Sequence, residues 1–102
     1  MLQKLESWLS APTENEQLEF KEAKQQYDST KLLKYCVALS NEGGGFLILG
    51  VTNSPPRCVV GTAAYADETA INKIISKIYE KLRIRVGVHE VSHRAGRVLI
   101  FE

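Results

Sequence analysis

Glu14 and Glu19 open and close the core of the segment Glu14-Asn15-Glu16-Gln17-Leu18-Glu19-Phe20-Lys21. Paired carboxylates so placed can hold a divalent cation through oxygen and serve phosphodiester hydrolysis. In an extended strand Glu19 and Lys21 share one face and Leu18 and Phe20 the other. Glutamates on a solvated strand face are far commoner than metal ligands, so residue types alone do not make a catalyst here. Lys73, Lys77 and Lys81 recur every fourth residue, and Arg83, Arg94 and Arg97 follow. Such a set can track phosphates, each contact adding affinity that falls with salt. A lysine row on an amphipathic helix is more often simply solvated. Gly43-Gly44-Gly45 is the strongest local signal, since a backbone that turns sharply can expose N–H groups to an anion. The triplet follows a helix instead of opening one. It lacks the Lys and Ser/Thr of a phosphate loop, and its commoner role is to stop the helix. His89 and His93 flank a hairpin without an evident third ligand, so no metal site is expected.

The elements that must position these residues follow from apolar spacing. Leu2, Leu5, Trp8 and Leu9 predict a short amphipathic helix, broken at Ser10-Ala11-Pro12-Thr13. Gln17 to Lys21 predicts a half-buried strand. Asp28-Ser29-Thr30 caps a second helix carrying Leu32, Leu33, Cys36 and Val37 on one face, which ends near Asn41. Phe46 to Val51 is a continuous apolar run and predicts a central strand covered on both faces. After the turn at Asn53-Ser54-Pro55-Pro56, Arg57 to Val60 predicts a short returning strand that closes a hairpin. Asp67 or Thr69 caps a third helix with the apolar stripe Ile71, Ile74, Ile75, Ile78 and Leu82. Ile84 to Val91 and Arg97 to Phe101 predict two strands around Arg94-Ala95-Gly96. The expected order is α, β, α, β, β, α, β, β. That means an α/β (α+β) domain with a mixed sheet of four to five strands, two main helices and a short N-terminal helix.

The bulk numbers bound the function. The 102 residues, 44% hydrophobic and 25% charged, suffice for one core. Thirteen basic against twelve acidic residues leave a net charge of +1, so a polyanion surface must arise by segregating charge. Cys36 and Cys58 form no CxxC pair, which argues against a disulfide framework or zinc site and fits a reducing cytoplasm. No apolar leader or membrane-length stretch is present. The chain stops inside a strand, at Arg97 to Glu102, which suggests a fragment of a longer protein.

Taken in order, Glu14-x4-Glu19-Phe20-Lys21, then Leu39-Ser40-Asn41-Glu42-Gly43-Gly44-Gly45-Phe46-Leu47-Ile48-Leu49-Gly50-Val51, then Gly61, resemble the Schlafen-type AlbA-like domain. The resemblance covers residues 14–102, with 1–13 as a helical lead-in. It implies an AlbA-like fold and a nucleic-acid-binding module, for DNA or RNA, at the N-terminus of transcriptional regulators and helicase-related or divergent ATPase-related proteins. Further domains would follow downstream. ATP is attached to some relatives, but no Walker motif is present here. In some vertebrate relatives the module is a ribonuclease with two glutamates, matched here by Glu14 and Glu19, and an aspartate after the Gly-Val step. That position falls on Thr52 or Asn53, and losing a carboxylate removes a hard metal ligand.

The expectation is therefore binding without cleavage and without a cofactor. Backbone phosphates would be held by Lys21, Lys73, Lys77, Lys81, Arg83, Arg94 and Arg97, with the amides of Gly43, Gly44 and Gly45 assisting. The alternatives are a metal-dependent nuclease using Glu14 and Glu19, and an oligomerisation module pairing through strand edges as a homodimer.

Overall fold

A strand with no polar residue needs apolar cover on both sides, and the segment Phe46–Leu49 has it. The computed structural model describes residues 1–10 and 17–102, so Glu14 lies outside the described residues. The elements are α1 (Leu2–Leu9), β1 (Leu18–Lys21), α2 (Ser29–Asn41), β2 (Phe46–Leu49), α3 (Glu68–Leu82), β3 (Val88–His93) and β4 (Gly96–Phe101). They build a four-stranded mixed sheet in the order β1-β2-β4-β3. β1 runs parallel to β2 across the α2 crossover, whereas β4 runs antiparallel to both β2 and β3.

Alternation along β2 and β4 divides the core in two. Leu47, Leu49, Leu99 and Phe101 face Leu32 and Cys36 of α2 and Ile74 and Ile78 of α3. Ile48, Val98 and Ile100 face the opposite way, with Leu18 and Phe20, towards Leu5 of α1. The result is two helices on one face of the sheet and one on the other. Each fully buried Leu or Ile stabilises by roughly 1.5–3 kcal/mol relative to exposure, so the two clusters bear most of the fold.

The helix ends are set locally. Asp28 accepts from the Thr30 N–H and Asp67 from the Ala70 N–H. α2 closes in a Schellman arrangement, with the Gly44 N–H on the Leu39 carbonyl and the Gly43 N–H on the Ser40 carbonyl. Gly43, at φ +84°, supplies the left-handed residue that this closure requires. At Gly45 the need is spatial: a Cβ would lie 2.5 Å from the Gln17 carbonyl oxygen of the chain entering β1.

Two expected elements differ. Arg57 to Val60 does not form a strand; a single bridge joins Val51 and Val59. The Thr52 and Val60 N–H groups make this bridge on the Cys58 and Gly50 carbonyls, but the ladder goes no further because the reciprocal donors are taken: the Cys58 N–H by the Thr52 hydroxyl and the Gly50 N–H by the Lys21 carbonyl. The strand expected from Ile84 begins only at Val88, because Arg83 ends α3 in a left-handed conformation and Ile84 and Val86 are spent packing on the helix-side core.

Cys36 is buried, and burial pushes its thiol up to about 11, whereas Cys58 is exposed. A thiol reagent at neutral pH should therefore modify one cysteine quickly in the native domain and the second only on unfolding. Rapid modification of both would show that α2 does not hold Cys36 in the core. Among the described residues, no helix is long and apolar enough to cross a membrane.

Candidate nucleic-acid interface

Lys21 ends β1 on the side that faces α2. Its ammonium lies 3.5 Å from the Glu19 carboxylate and 4.8 Å from the centre of the Tyr35 ring. A hydrogen bond with the Tyr35 hydroxyl holds the Lys21 pKa above its ordinary value, burial works against it, and Glu19 adds to the rise. Lys21 therefore stays charged at all physiological pH. Around it, Tyr27, Lys31, Lys34 and Tyr35 complete a cleft of about 340 Å³. The Tyr27 pKa is raised, first by burial, so its phenol remains a hydroxyl. α2 builds this wall because Lys31, Lys34 and Tyr35 lie three and four residues apart and stack along one helix flank.

A second group borders the same helix. Lys73, Lys77 and Lys81 line the outer side of α3 together with Thr69, Asn72, Ser76 and Glu80. Lys77 reaches across to α2, donating to the Ser29 hydroxyl at 2.8 Å. That bond fixes the α3 lysine face against the start of α2, close in the chain to Lys31. Glu80 is the one carboxylate among the residues lining that face.

The remaining predicted cations are placed elsewhere. Arg97 is taken up by the fold. Its guanidinium donates to the carbonyls of Thr62 at 3.1 Å, Ala64 at 2.8 Å and Tyr65 at 2.8 Å, and pairs with Glu90. Its donors are spent on pinning the segment before α3, so it is removed from the phosphate set. Arg83 lies 5.5 Å above the Tyr79 ring. Because two residues of helix turn through about 200°, Tyr79 occupies the flank away from Lys77. Arg94 is exposed at the tip of the β3–β4 hairpin, next to His93, which binds Glu6 of α1 at 3.1 Å. The fold thus sets Lys21 and the α3 lysines against different flanks of α2, Lys21 at Tyr35 and Lys77 at Ser29, and disperses the three arginines.

The glycine turn is also corrected. The Gly43 and Gly44 amides are consumed by the helix closure, and Gly45 lies against the Gln17 backbone. Beside the turn lies a mostly apolar cleft of about 280 Å³, lined chiefly by Cys36, Leu39, Leu47, Ile84, Val86 and Phe101, with Arg85 and Glu102 also in its lining. This is packing chemistry, not an anion cradle. The acidic alternative is likewise thin. Glu19 faces Lys21, Asn53 is exposed, and the Thr52 hydroxyl is engaged by the Cys58 N–H. Among the described residues, no three His, Cys, Asp or Glu side chains group together. Glu14, the other carboxylate of that alternative, lies outside the described residues, and no hydrolytic step is derived from the pair.

Lys31, Lys34, Tyr27 and Tyr35 escaped the sequence reading. The spacing Lys31-x-x-Lys34-Tyr35 was a visible signal, but its meaning depends on Lys21 and Tyr27 arriving from outside the helix.

Two solved structures share this architecture. The DIP2311 protein of Corynebacterium diphtheriae aligns with a TM-score of 0.67 at 20% identity, over 98% of this chain and 24% of that one. The N-terminal domain of an ATP-dependent DNA helicase RecG-related protein of Nitrosomonas europaea aligns with a TM-score of 0.62 at 20% identity, over 95% of this chain and 68% of that one. The chain therefore spans about a quarter of the first neighbour. At this identity the likeness shows the fold alone. No curated protein matches the chain by sequence. The family model described as Schlafen, AlbA_2 matches residues 14–102, and the chain belongs to that family.

Proposed function

We propose that this domain binds nucleic acid, DNA foremost, through its backbone phosphates on the α2–α3 side of the sheet. The carrying observation is the bond from Lys77 to Ser29, which sets the α3 lysines beside the helix that bears Lys31 and Lys34. A chain with a net charge of only +1 thereby acquires a cationic side. The family and the RecG-related neighbour favour the same ligand class. Sequence preference would come from further domains of a longer regulator, as the family resemblance implies, since phosphate contacts carry no sequence information.

Anisotropy titrations with duplex DNA, single-stranded DNA and RNA across a salt series test this. About four lysine–phosphate contacts should give a slope of log K against log salt near −3.6 on duplex DNA. Binding that is absent at low salt, or insensitive to salt, overturns the reading. The sheet order leaves β3 at an edge, where a second copy could pair. Light scattering on the same samples distinguishes a dimer from a monomer with and without DNA.

A further inference from the structure

We infer that the first half of α2 lies in the major groove of duplex DNA, with the cleft lysines on one backbone and the α3 lysines on the other. This inference rests on the proposed nucleic-acid binding and narrows its ligand to the double strand.

Placement is the first reason. The Lys77 ammonium sits 2.8 Å from the Ser29 hydroxyl, and Lys73 and Lys81, one turn to either side, share its face of α3. Lys34, Lys31 and Tyr35 lie about 140°, 200° and 240° around α2 from Ser29. That is the flank where Lys21 meets the Tyr35 ring and Tyr27 completes the cleft. Thr30, Val37 and Asn41 run between the two flanks, exposed and uncharged. The helix is thus a ridge with ammonium groups on both sides.

Width is the second reason. A helix with its side chains is about 10–12 Å across, and the major groove of B-DNA is about 12 Å wide. Such a ridge fits between the two backbones, whereas the minor groove, about 6 Å wide, excludes it. The major groove of duplex RNA is too deep and narrow to receive it. A single strand can follow one flank but brings no second backbone to the other.

Charge is the third reason. The six lysines stand against Glu19 beside Lys21, Asp28 at the cap of α2, and Glu80 on the α3 face. Six less three leave a surplus of three, divided between the flanks. A single strand along either flank meets part of that surplus, and a duplex astride α2 meets all of it.

The test compares an A·T-rich DNA duplex, one of its strands alone and the same duplex as RNA. Two phosphate contacts on each flank give a slope of log K against log salt near −3.6 on duplex DNA and about −1.4 on the single strand, which uses one flank at a time. Lys31→Gln with Lys34→Gln, and separately Lys73→Gln with Lys81→Gln, should each lower duplex affinity at least roughly tenfold at low salt. Each pair should lower single-strand affinity no more than about twofold, because the other flank remains. All four side chains are exposed, so both variants should keep the melting temperature of the parent. Netropsin, which fills the minor groove, should leave the duplex complex intact, and methyl green, which lies in the major groove, should displace the domain. Displacement by netropsin, or RNA duplex bound as tightly as DNA duplex, overturns the major groove. Equal slopes on single and double strands, with both variants acting alike on the two, overturn the ridge and leave the proposed function standing. No binding of any probe overturns both.

Discussion

Replacing Arg97 with alanine should cost the domain about 3 kcal/mol of folding stability, read from the urea midpoint at an unchanged m-value. The guanidinium binds three backbone carbonyls in the segment from Thr62 to Tyr65. It also pairs with Glu90 on the neighbouring strand. Hydrogen bonds from a charged group are worth roughly 1.5–3 kcal/mol each, and partial exposure of this side chain reduces the sum. Alanine leaves three carbonyls without their donors beside the residues that lead into α3. Lysine should rescue little, since one point charge cannot span a fork of three acceptors. Affinity for DNA, measured below the midpoint, should stay within about twofold. A loss of stability under about 1 kcal/mol, or a large loss of affinity in a folded variant, would return Arg97 to the phosphate set.

Exchanging Lys31 and Lys34 together for glutamine should flatten the salt dependence of DNA binding by about two units of slope and lower affinity at least roughly tenfold at low salt. Both side chains are exposed on α2, so the fold should survive the change. Lys4 is the matched control: it is equally cationic but lies on α1, over the Phe46 ring, across the sheet from α2. Lys4→Gln should leave affinity and slope almost unchanged. If it weakens binding as much as the α2 pair does, the attraction belongs to net charge and not to a surface. An unchanged slope in the double variant excludes α2 from the contact.

Much of the architecture was written in short-range pattern. The unbroken run of β2, the isoleucine stripe of α3, and Asp28 and Asp67 ahead of their helices each carry their meaning within a few residues. What escaped depends on groups far apart in the chain. Arg97 resembled a free cation because its carbonyl partners lie more than thirty positions upstream. The glycine triplet resembled an anion loop until its N–H groups were seen returning to the helix it ends. The hairpin after β2 stopped at one bridge because the Thr52 hydroxyl and the Lys21 carbonyl take the donors it needed, which no alternation of apolar residues reveals. The lysine–tyrosine cleft is the clearest case. Its helical half was legible as spacing, but it becomes a site only when β1 delivers Lys21 and the following loop delivers Tyr27.

Trp8 is the sole tryptophan of the chain, and its ring lies 4.7 Å from that of Phe46, at the first position of β2. α1 is otherwise held by Leu5 beneath the sheet and by the bond between Glu6 and His93. Indole emission therefore monitors one joint and not the whole molecule. A red shift that precedes the loss of helical ellipticity on heating would mean that the amino-terminal helix peels off before the rest melts. Because that joint lies across the sheet from the proposed DNA surface, the same signal, followed during titration, gauges whether loading one side of the domain is felt on the other.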